Sequence, residues 1–240
     1  MGLFDEQVAA VERFLAEERS AGNVREFRAG SRPAWPSEQS LVLEDDTAIE
    51  LGNPRIASLS SLVWSEGPVE DGRISLVGPD VSEMDERGVP FAQVVIAGGK
   101  FTDVYESYRD VREAIYDTVL EGFMVRTMPS RQSIWCRISR EAVSGGFSLE
   151  DLGDALIWNL KTVEPVTGAE VLFVTSSVAD VERLAPAASG ARRVIEALMK
   201  MYEEKNFDCE TCEYRDVCDE VMDLKKIRER LADQKAGAGP

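Results

Sequence analysis

Short apolar runs punctuated by turn residues constrain the fold of this chain more than any other feature of its sequence. The runs are separated by clusters of Gly, Pro and Asp such as GNP, EGPVEDG and VGPD. Runs of this length between turn formers are typical of β-strands. The sequence therefore predicts four strands, at residues 47–51, 58–64, 73–77 and 91–97. The pair Gly98 and Gly99 that follows the last run predicts a turn.

Helices alternate with single strands in the second half of the sequence. Asp103 followed by Glu106 is a helix-capping pattern, and apolar residues then recur at helical spacing. A second capping pattern, Ser148 with Asp151, begins a helix that ends near Leu160. The other predicted elements are strands at 133–138 and 170–175, and helices at 3–19, 177–185, 188–204 and after Cys218.

The order of these elements predicts the fold class. Strands that come first, followed by helices alternating with single strands, favour an α+β fold over a doubly wound parallel sheet. We predict a mixed β-sheet covered by helices, with a C-terminal helical cysteine-rich metal-binding appendix. The predicted units are an N-terminal helix and connector at residues 1–38, an α+β domain at 39–186 and a helical metal-binding segment at 187–240. Turn formers place the connector at 29–37.

The net charge of the chain limits the classes of molecule that it can bind. It has 44 acidic and 27 basic residues and a formal net charge of −17, which repels polyanions such as nucleic acids and anionic membrane surfaces. No apolar stretch approaches the roughly 20 residues needed to span a bilayer, and the first residues lack the pattern of a signal peptide. We expect a cytoplasmic protein that binds neither nucleic acid nor membrane. The sequence does not indicate an oligomeric state.

The segment FDCETCEYRDVCDEV places Cys209, Cys212 and Cys218 at C-x2-C-x5-C spacing. Histidine is absent from the whole chain, which removes the histidine-containing catalytic triads and zinc sites. Two thiolates separated by two residues can face one centre, and a third can approach it from the following turn, as iron-sulfur clusters require. We predict an iron-sulfur cluster. Zinc and redox-active thiols are the alternatives.

The fourth ligand of such a site stays open at the level of sequence. Cys136 would bring the thiolates to four, yet a lone cysteine in an apolar strand is also the pattern of a small buried hydrophobe. For zinc, the nearby carboxylates are the other candidates, namely Asp208, Asp216 and Asp219. Acids this close would also raise the pKa of the thiols, which disfavours a free reactive thiolate.

Four stretches of the chain resemble one enzyme family in their order and spacing. They are DTAIELGNPR, GRISLVGPDV, EGFMVRTMPSRQSIWCRISREAV and GGFSLEDLGDALIWNLK. Together with the cysteine motif, they make residues 40–218 resemble acetyl-CoA synthase, the β subunit of the carbon monoxide dehydrogenase/acetyl-CoA synthase complex. The resemblance covers that enzyme's middle domain and the first part of its metal domain. It implies that residues 39–186 form an acetyl-CoA-synthase-like domain.

The resemblance also implies a metal centre. In this family a methyl group from a corrinoid iron-sulfur protein, carbon monoxide and coenzyme A are joined at a nickel-containing cluster. A 4Fe-4S cube on four cysteines is bridged to one nickel, and a Cys-Gly-Cys chelate holds a second. By resemblance, Cys209 and Cys212 match the first two ligands of the cube, and Cys218 matches the third.

A coenzyme A site is the second implication of the resemblance. Arg131, Trp135 and Arg137 match the part of the middle domain associated with coenzyme A, where guanidinium groups pair with phosphates and an indole stacks on adenine. The structural alternative is that Trp135 is a core aromatic of a strand, with the two arginines solvated at its edges.

The sequence also departs from the family. No cysteine follows Cys218, no Cys-Gly-Cys is present, and the family's N-terminal docking region is not found in these 240 residues. We therefore expect an accessory or docking module for a corrinoid or methyltransferase protein of anaerobic one-carbon metabolism, unable to make acetyl-CoA alone. Whether it is an enzyme stays open. The alternatives are a coenzyme A-binding partial acyltransferase subunit completed by a partner, and a structural zinc module.

Overall fold

The computed structural model describes residues 2–30, 40–128, 131–203 and 211–237. The predicted connector at 29–37 falls almost entirely outside these residues, and so does Cys209. Within the described ranges, no helix is long and apolar enough to cross a membrane.

The described chain folds into seven helices and nine strands. The helices are α1 (Asp5–Ser20), α2 (Val104–Tyr116), α3 (Arg140–Ser144), α4 (Leu149–Leu160), α5 (Val178–Glu203), α6 (Arg215–Glu220) and α7 (Met222–Gly237). The strands are β1 (Val24–Arg28), β2 (Thr47–Leu51), β3 (Ser58–Ser65), β4 (Arg73–Val77), β5 (Gly88–Val89), β6 (Phe91–Gly99), β7 (Phe123–Met128), β8 (Ser133–Ser139) and β9 (Val166–Val174).

The strands form two sheets where the sequence predicted one. A five-stranded sheet has the order β1-β4-β9-β6-β3, and a four-stranded sheet has the order β5-β2-β8-β7. Both sheets are mixed: β4 and β9 are parallel, as are β3 and β6, whereas β9 and β6 are antiparallel. The α+β class with mixed strand directions is therefore confirmed.

Local capping chemistry starts the predicted helices where the sequence places them. The Asp103 side chain accepts a hydrogen bond from the Glu106 amide at 3.1 Å and begins α2. Ser148 and Asp151 form the predicted capping box of α4, and that helix ends at Leu160 as predicted. These contacts satisfy amide groups that have no partner within the first turn of a helix.

The two predicted helices at 177–185 and 188–204 are one continuous helix, α5, with Pro186 inside it. Proline removes one backbone hydrogen bond and is expected to break a helix. Here the apolar face continues on both sides of it, with Leu184 before the proline and Ala188 after it, both buried. Burial of this continuous apolar face outweighs the lost hydrogen bond. The helix α5 runs through residues 186 and 187, where the sequence predicts a domain boundary; the predicted division into domains stays a prediction.

The predicted turn at Gly98 and Gly99 is wrong, because both residues belong to β6, a buried strand between β9 and β3. The register of β6 against β9 shifts between them. A Cβ at Gly99 would lie 1.9 Å from the carbonyl oxygen of Pro165, and a Cβ at Gly98 would lie 2.8 Å from the Val69 Cβ. Close approach of neighbouring chain segments therefore explains the glycines.

A buried ion pair joins two strands of the five-stranded sheet. The Arg73 guanidinium on β4 contacts the Glu170 carboxylate on β9, and both side chains are less than a tenth exposed. Glu12 of α1 lies 2.6 Å from the same guanidinium, and Glu70 lies 3.0 Å from it. Burial alone would lower the pKa of Arg73, but the Glu170 and Glu12 carboxylates outweigh it and raise that pKa.

We expect Arg73→Met to lower the free energy of unfolding by about 3 kcal/mol, because it leaves the Glu170 carboxylate buried without its cation. Arg28→Met is the matched control, since Arg28 is exposed and pairs with the same Glu70; its expected cost is below about 1 kcal/mol. Urea unfolding of both variants measures the difference. The double variant Arg73→Met/Glu170→Met should recover most of the loss, and equal costs for the two single variants would contradict this assignment.

Candidate functional site

Two cysteines of the predicted metal motif line one small cavity beside α5. Cys218 is buried on α6, and Cys212 is half-buried just before that helix. The turn between them is closed by backbone bonds, in which the Arg215 amide donates to Cys212 and the Cys218 amide donates to Tyr214. We call this space the cysteine cavity; it is lined by Ala197, Lys200, Met201, Cys212, Arg215, Cys218 and Arg228.

The electrostatics of the cysteine cavity differ from what the sequence alone indicates. The acids near the cysteines are drawn into ion pairs with basic side chains. These pairs are Asp216 with Arg193 at 2.7 Å, Asp219 with Arg228 at 2.8 Å, and Glu213 with Lys200 at 3.2 Å. Hydrogen bonds from Arg193 and Arg228 lower the pKa of Asp216 and Asp219, respectively, and keep both ionised. Two of the three candidate carboxylate ligands for zinc are thus held in ion pairs, and the third, Asp208, lies outside the described residues.

The donor set of the cysteine cavity suits an anionic, thiolate-bound group. Soft thiolates are the ligands that iron-sulfur clusters require, and three cationic side chains lie around them, each of which also pairs with a nearby carboxylate. Within the described residues, no group of three or more potential metal ligands is assembled. The third thiol of the motif, Cys209, lies outside those residues.

Cys136 is in a different part of the molecule. It lies on β8 opposite Leu51 of β2 and Val125 of β7, and it is fully buried. Burial raises the pKa of its thiol far above the ordinary value. It does not line the cysteine cavity, so the structure does not bring Cys136 together with Cys212 and Cys218. Its surroundings are those of a small core hydrophobe.

The predicted coenzyme A residues lie on and beside β8. Ile134, Cys136 and Ile138 are buried in the core, whereas Trp135 and Arg137 alternate with them and are half-buried on the other face. The Arg137 guanidinium lies 4.6 Å from the centre of the indole ring. Its Nε also donates a hydrogen bond of 3.1 Å to Glu50 on β2. Arg137 is therefore held between a ring and a carboxylate and is not a freely solvated edge residue.

A second guanidinium group lies near the ring of Trp135, and the sequence analysis did not predict it. Arg126 of β7 is the cross-strand partner of Trp135, and its guanidinium lies 5.9 Å from the ring centre. The predicted residue Arg131 is exposed in the turn before β8. The indole nitrogen of Trp135 is buried and has no hydrogen-bond partner within the described residues. The indole ring of Trp135 thus has two guanidinium groups near it, and its own N–H has no hydrogen-bond partner within the described residues.

We expect the cysteines of the metal-free protein to differ sharply in alkylation by iodoacetamide. Cys136 should stay unmodified in the native state, because burial excludes the reagent and raises the thiol pKa. Cys212 is half-buried and should react. Peptide mass spectrometry after a timed pulse measures both, and urea-unfolded protein, in which the two should react alike, is the control. Native labelling of Cys136 at the rate of Cys212 would contradict this placement.

Comparison with known proteins points to one family. The family model described as CO dehydrogenase/acetyl-CoA synthase complex beta subunit matches residues 34–177, more than half of the chain. The acetyl-CoA decarbonylase/synthase complex subunit beta of Methanothermobacter thermautotrophicus is 38% identical over 110 residues, which are 45% of this chain and 23% of that relative.

Two further relatives carry the same description. The protein from Methanopyrus kandleri is 31% identical over 163 residues, 65% of this chain and 33% of its own length. The protein from Archaeoglobus fulgidus is 26% identical over 203 residues, 82% of this chain and 36% of its own length. The chain thus spans less than half the length of these curated relatives. The resemblance inferred from the sequence is confirmed: the chain belongs to the family of CO dehydrogenase/acetyl-CoA synthase complex beta subunits.

Proposed function

We propose that this chain is a β-subunit-like module that holds an iron-sulfur cluster through Cys209, Cys212 and Cys218. The observation that carries the proposal is that Cys212 and Cys218 line one space beside three basic side chains; its volume is about 10 Å³, so a cluster would have to displace lining side chains. A thiolate-bound cluster is an anion, and these basic side chains, which also pair with Glu213 and Asp219, would offset part of its charge. When bound, the cluster would supply one-electron redox chemistry. The chain itself supplies the thiolates and excludes water with the buried side chains of α5.

The proposed role is accessory or docking, within a complex of the kind that the relatives' names describe. The sequence carries no Cys-Gly-Cys to chelate a second nickel, and it has no histidine to replace it. We propose that the module does not assemble a dinickel centre from its own residues. A corrinoid or methyltransferase protein of anaerobic one-carbon metabolism is the proposed partner, by analogy with the family.

Cys136 is left out of the proposed cluster. Its thiol is in the core of the four-stranded sheet and its raised pKa disfavours the thiolate. A fourth ligand would have to reach the cluster from a partner, from a small-molecule thiol or solvent, or from a part of the protein beyond these residues. Asp216 and Asp219 are also unsuited, because arginines hold both of them.

We expect anaerobic reconstitution to give a brown protein with about four iron atoms per chain. Cys212→Ser and Cys218→Ser should each lose most of the iron and the visible absorbance, because they remove soft ligands that the cavity brings together. Cys136→Ala is the matched control and should keep both. Metal analysis and visible spectra measure the outcome. A colourless wild-type protein with stoichiometric zinc would instead support the structural zinc module.

A second candidate function, coenzyme A binding, is favoured by the surroundings of Trp135. Two guanidinium groups lie over its ring, and its indole nitrogen has no partner within the described residues. Arginines are suited to phosphates and aromatic rings to adenine. In this proposal the chain would contribute a coenzyme A face to an acyl-transfer site completed by another subunit.

We expect coenzyme A to quench the tryptophan fluorescence of the protein, and Arg126→Met to weaken its binding by about tenfold, because one charge-assisted phosphate contact is lost. Arg140→Met is the control, since Arg140 is the first residue of α3, just after β8, and donates to the Asp45 carbonyl. Arg131→Ala tests the residue that sequence reasoning favoured and should have a smaller effect. Absence of quenching at millimolar coenzyme A would exclude this function for the isolated chain.

A further inference from the structure

A separate cavity lies where the two sheets meet. Its walls come from β3 of one sheet, from β7 and β8 of the other, and from α2 and α5. We call it the sheet-junction cavity. Its volume is 320 Å³, at the lower end of the range of about 300 to 1,000 Å³ that is usual for ligand sites. It shares no lining residue with the cysteine cavity, and neither Trp135 nor Arg137 lines it.

Most of the sheet-junction cavity is apolar. Leu62 of β3, Ile115 of α2 and Met199 of α5 contribute aliphatic surface. Tyr108 and Tyr116 add two aromatic rings from positions two turns apart on α2, with Arg112 between them. A mainly apolar lining with a few polar groups is the usual composition of a small-molecule site. Such a lining selects a ligand with an apolar body.

One cation in this lining, Arg112, forms no ion pair among the described residues, and the acid that lines the same cavity, Glu196, pairs with Arg192. The Arg112 guanidinium lies 5.5 Å from the ring centre of Tyr108 and 5.9 Å from that of Tyr116. No ion pair among the described residues involves it, whereas Arg109 one turn earlier pairs with Glu106 at 3.0 Å. The other arginine of the lining, Arg192, lies 3.9 Å from Glu196. Arg112 is therefore the group in the lining whose charge an entering anion could balance.

An unused hydrogen-bonding group lies in the same lining. The hydroxyl oxygen of Ser133 is buried and has no hydrogen-bond partner within the described residues. Leaving a buried hydroxyl unsatisfied is unfavourable, and native structures rarely tolerate it without a ligand or water. The hydroxyl can donate to a ligand oxygen. Ser133 and Arg112 thus offer two donors from different elements to one space.

A strained residue holds these walls together. Gln132 has φ +50°, and it is the one non-glycine residue with positive φ in the described chain. Its carbonyl accepts a hydrogen bond of 2.6 Å from the Ser60 amide on β3, and its side-chain amide donates to the Ala188 carbonyl on α5. A glycine would adopt this backbone without strain but could not make the second bond. Strain retained in this way is characteristic of binding sites.

We infer that the sheet-junction cavity binds a small amphipathic carboxylic acid. The Arg112 guanidinium and the Ser133 hydroxyl would take the carboxylate, and the tyrosine rings and aliphatic side chains would enclose its apolar body. One planar guanidinium matches a carboxylate in a bidentate manner. A polyphosphate would need more unpaired cations than Arg112 supplies, because the other arginine of the lining, Arg192, lies beside Glu196. A neutral ligand would leave the cation without a partner.

Octanoate is the probe for this inference, measured by isothermal titration calorimetry with the full chain. Octanol has the same apolar body without the charge and should bind less tightly. Arg112→Met keeps an apolar stem and should weaken octanoate by about tenfold while leaving octanol unchanged. Arg109→Met is the matched control on the same helix and should change neither affinity, because Arg109 is outside the lining.

Two further variants keep the test decisive if Arg112→Met fails to fold. Arg112→Lys keeps the charge but loses the planar fork, so octanoate should weaken by about threefold to tenfold. Ser133→Ala removes only the hydroxyl and should weaken octanoate but not octanol. Wild-type protein that does not bind octanoate at millimolar concentration would overturn the inference. Equal effects of Arg112→Met and Arg109→Met would overturn it as well, because they would indicate a nonspecific charge effect.

Discussion

The buried pair of Arg73 and Glu170 is the interaction on which the arrangement of the five-stranded sheet depends. The two charges lie on neighbouring parallel strands, β4 and β9, where a slip of register by one residue would leave each of them buried alone. Glu12 extends the pair to α1, and the Glu70 amide donates to Glu170, so a helix and a loop are tied to the same point. Most other contacts of this sheet are apolar and non-directional. The ion pair supplies the specificity that such contacts lack.

Sequence reasoning succeeded where short-range chemistry decides the structure. The strands at Thr47–Leu51 and Arg73–Val77 and the helix at Leu149–Leu160 begin and end as predicted, because turn residues and capping side chains act within a few residues. It missed β1, whose sequence VREFR lacks an apolar alternation and which is placed by pairing with β4. It also split α5 at Pro186, because the burial that keeps this helix continuous comes from distant parts of the chain.

In the candidate sites too, local features could be predicted from the sequence and contacts between distant residues could not. Cys212 and Cys218 are close in sequence and line one cavity, as their spacing predicts. The basic side chains that neutralise their acidic neighbours come from α5 and α7, so the sequence around the motif indicated a more acidic site than the structure has. Arg126 lies over Trp135 only because β7 and β8 pair in one register. A signal for it existed in the β-type runs at residues 123–128 and 133–138, which together indicate a hairpin.

The choice of residue at position 99, which is Gly99, is tightly restricted. Even a methyl group there would meet the Pro165 carbonyl oxygen, which belongs to the loop that leads into β9. Any substitution must therefore displace that loop, and with it the strand that carries Glu170. The mutational tolerance of this site is set by backbone and not by side-chain packing, so no compensating change in a neighbouring side chain can restore it. Among descendants of this sequence, position 99 and the 161–165 loop should change together or not at all.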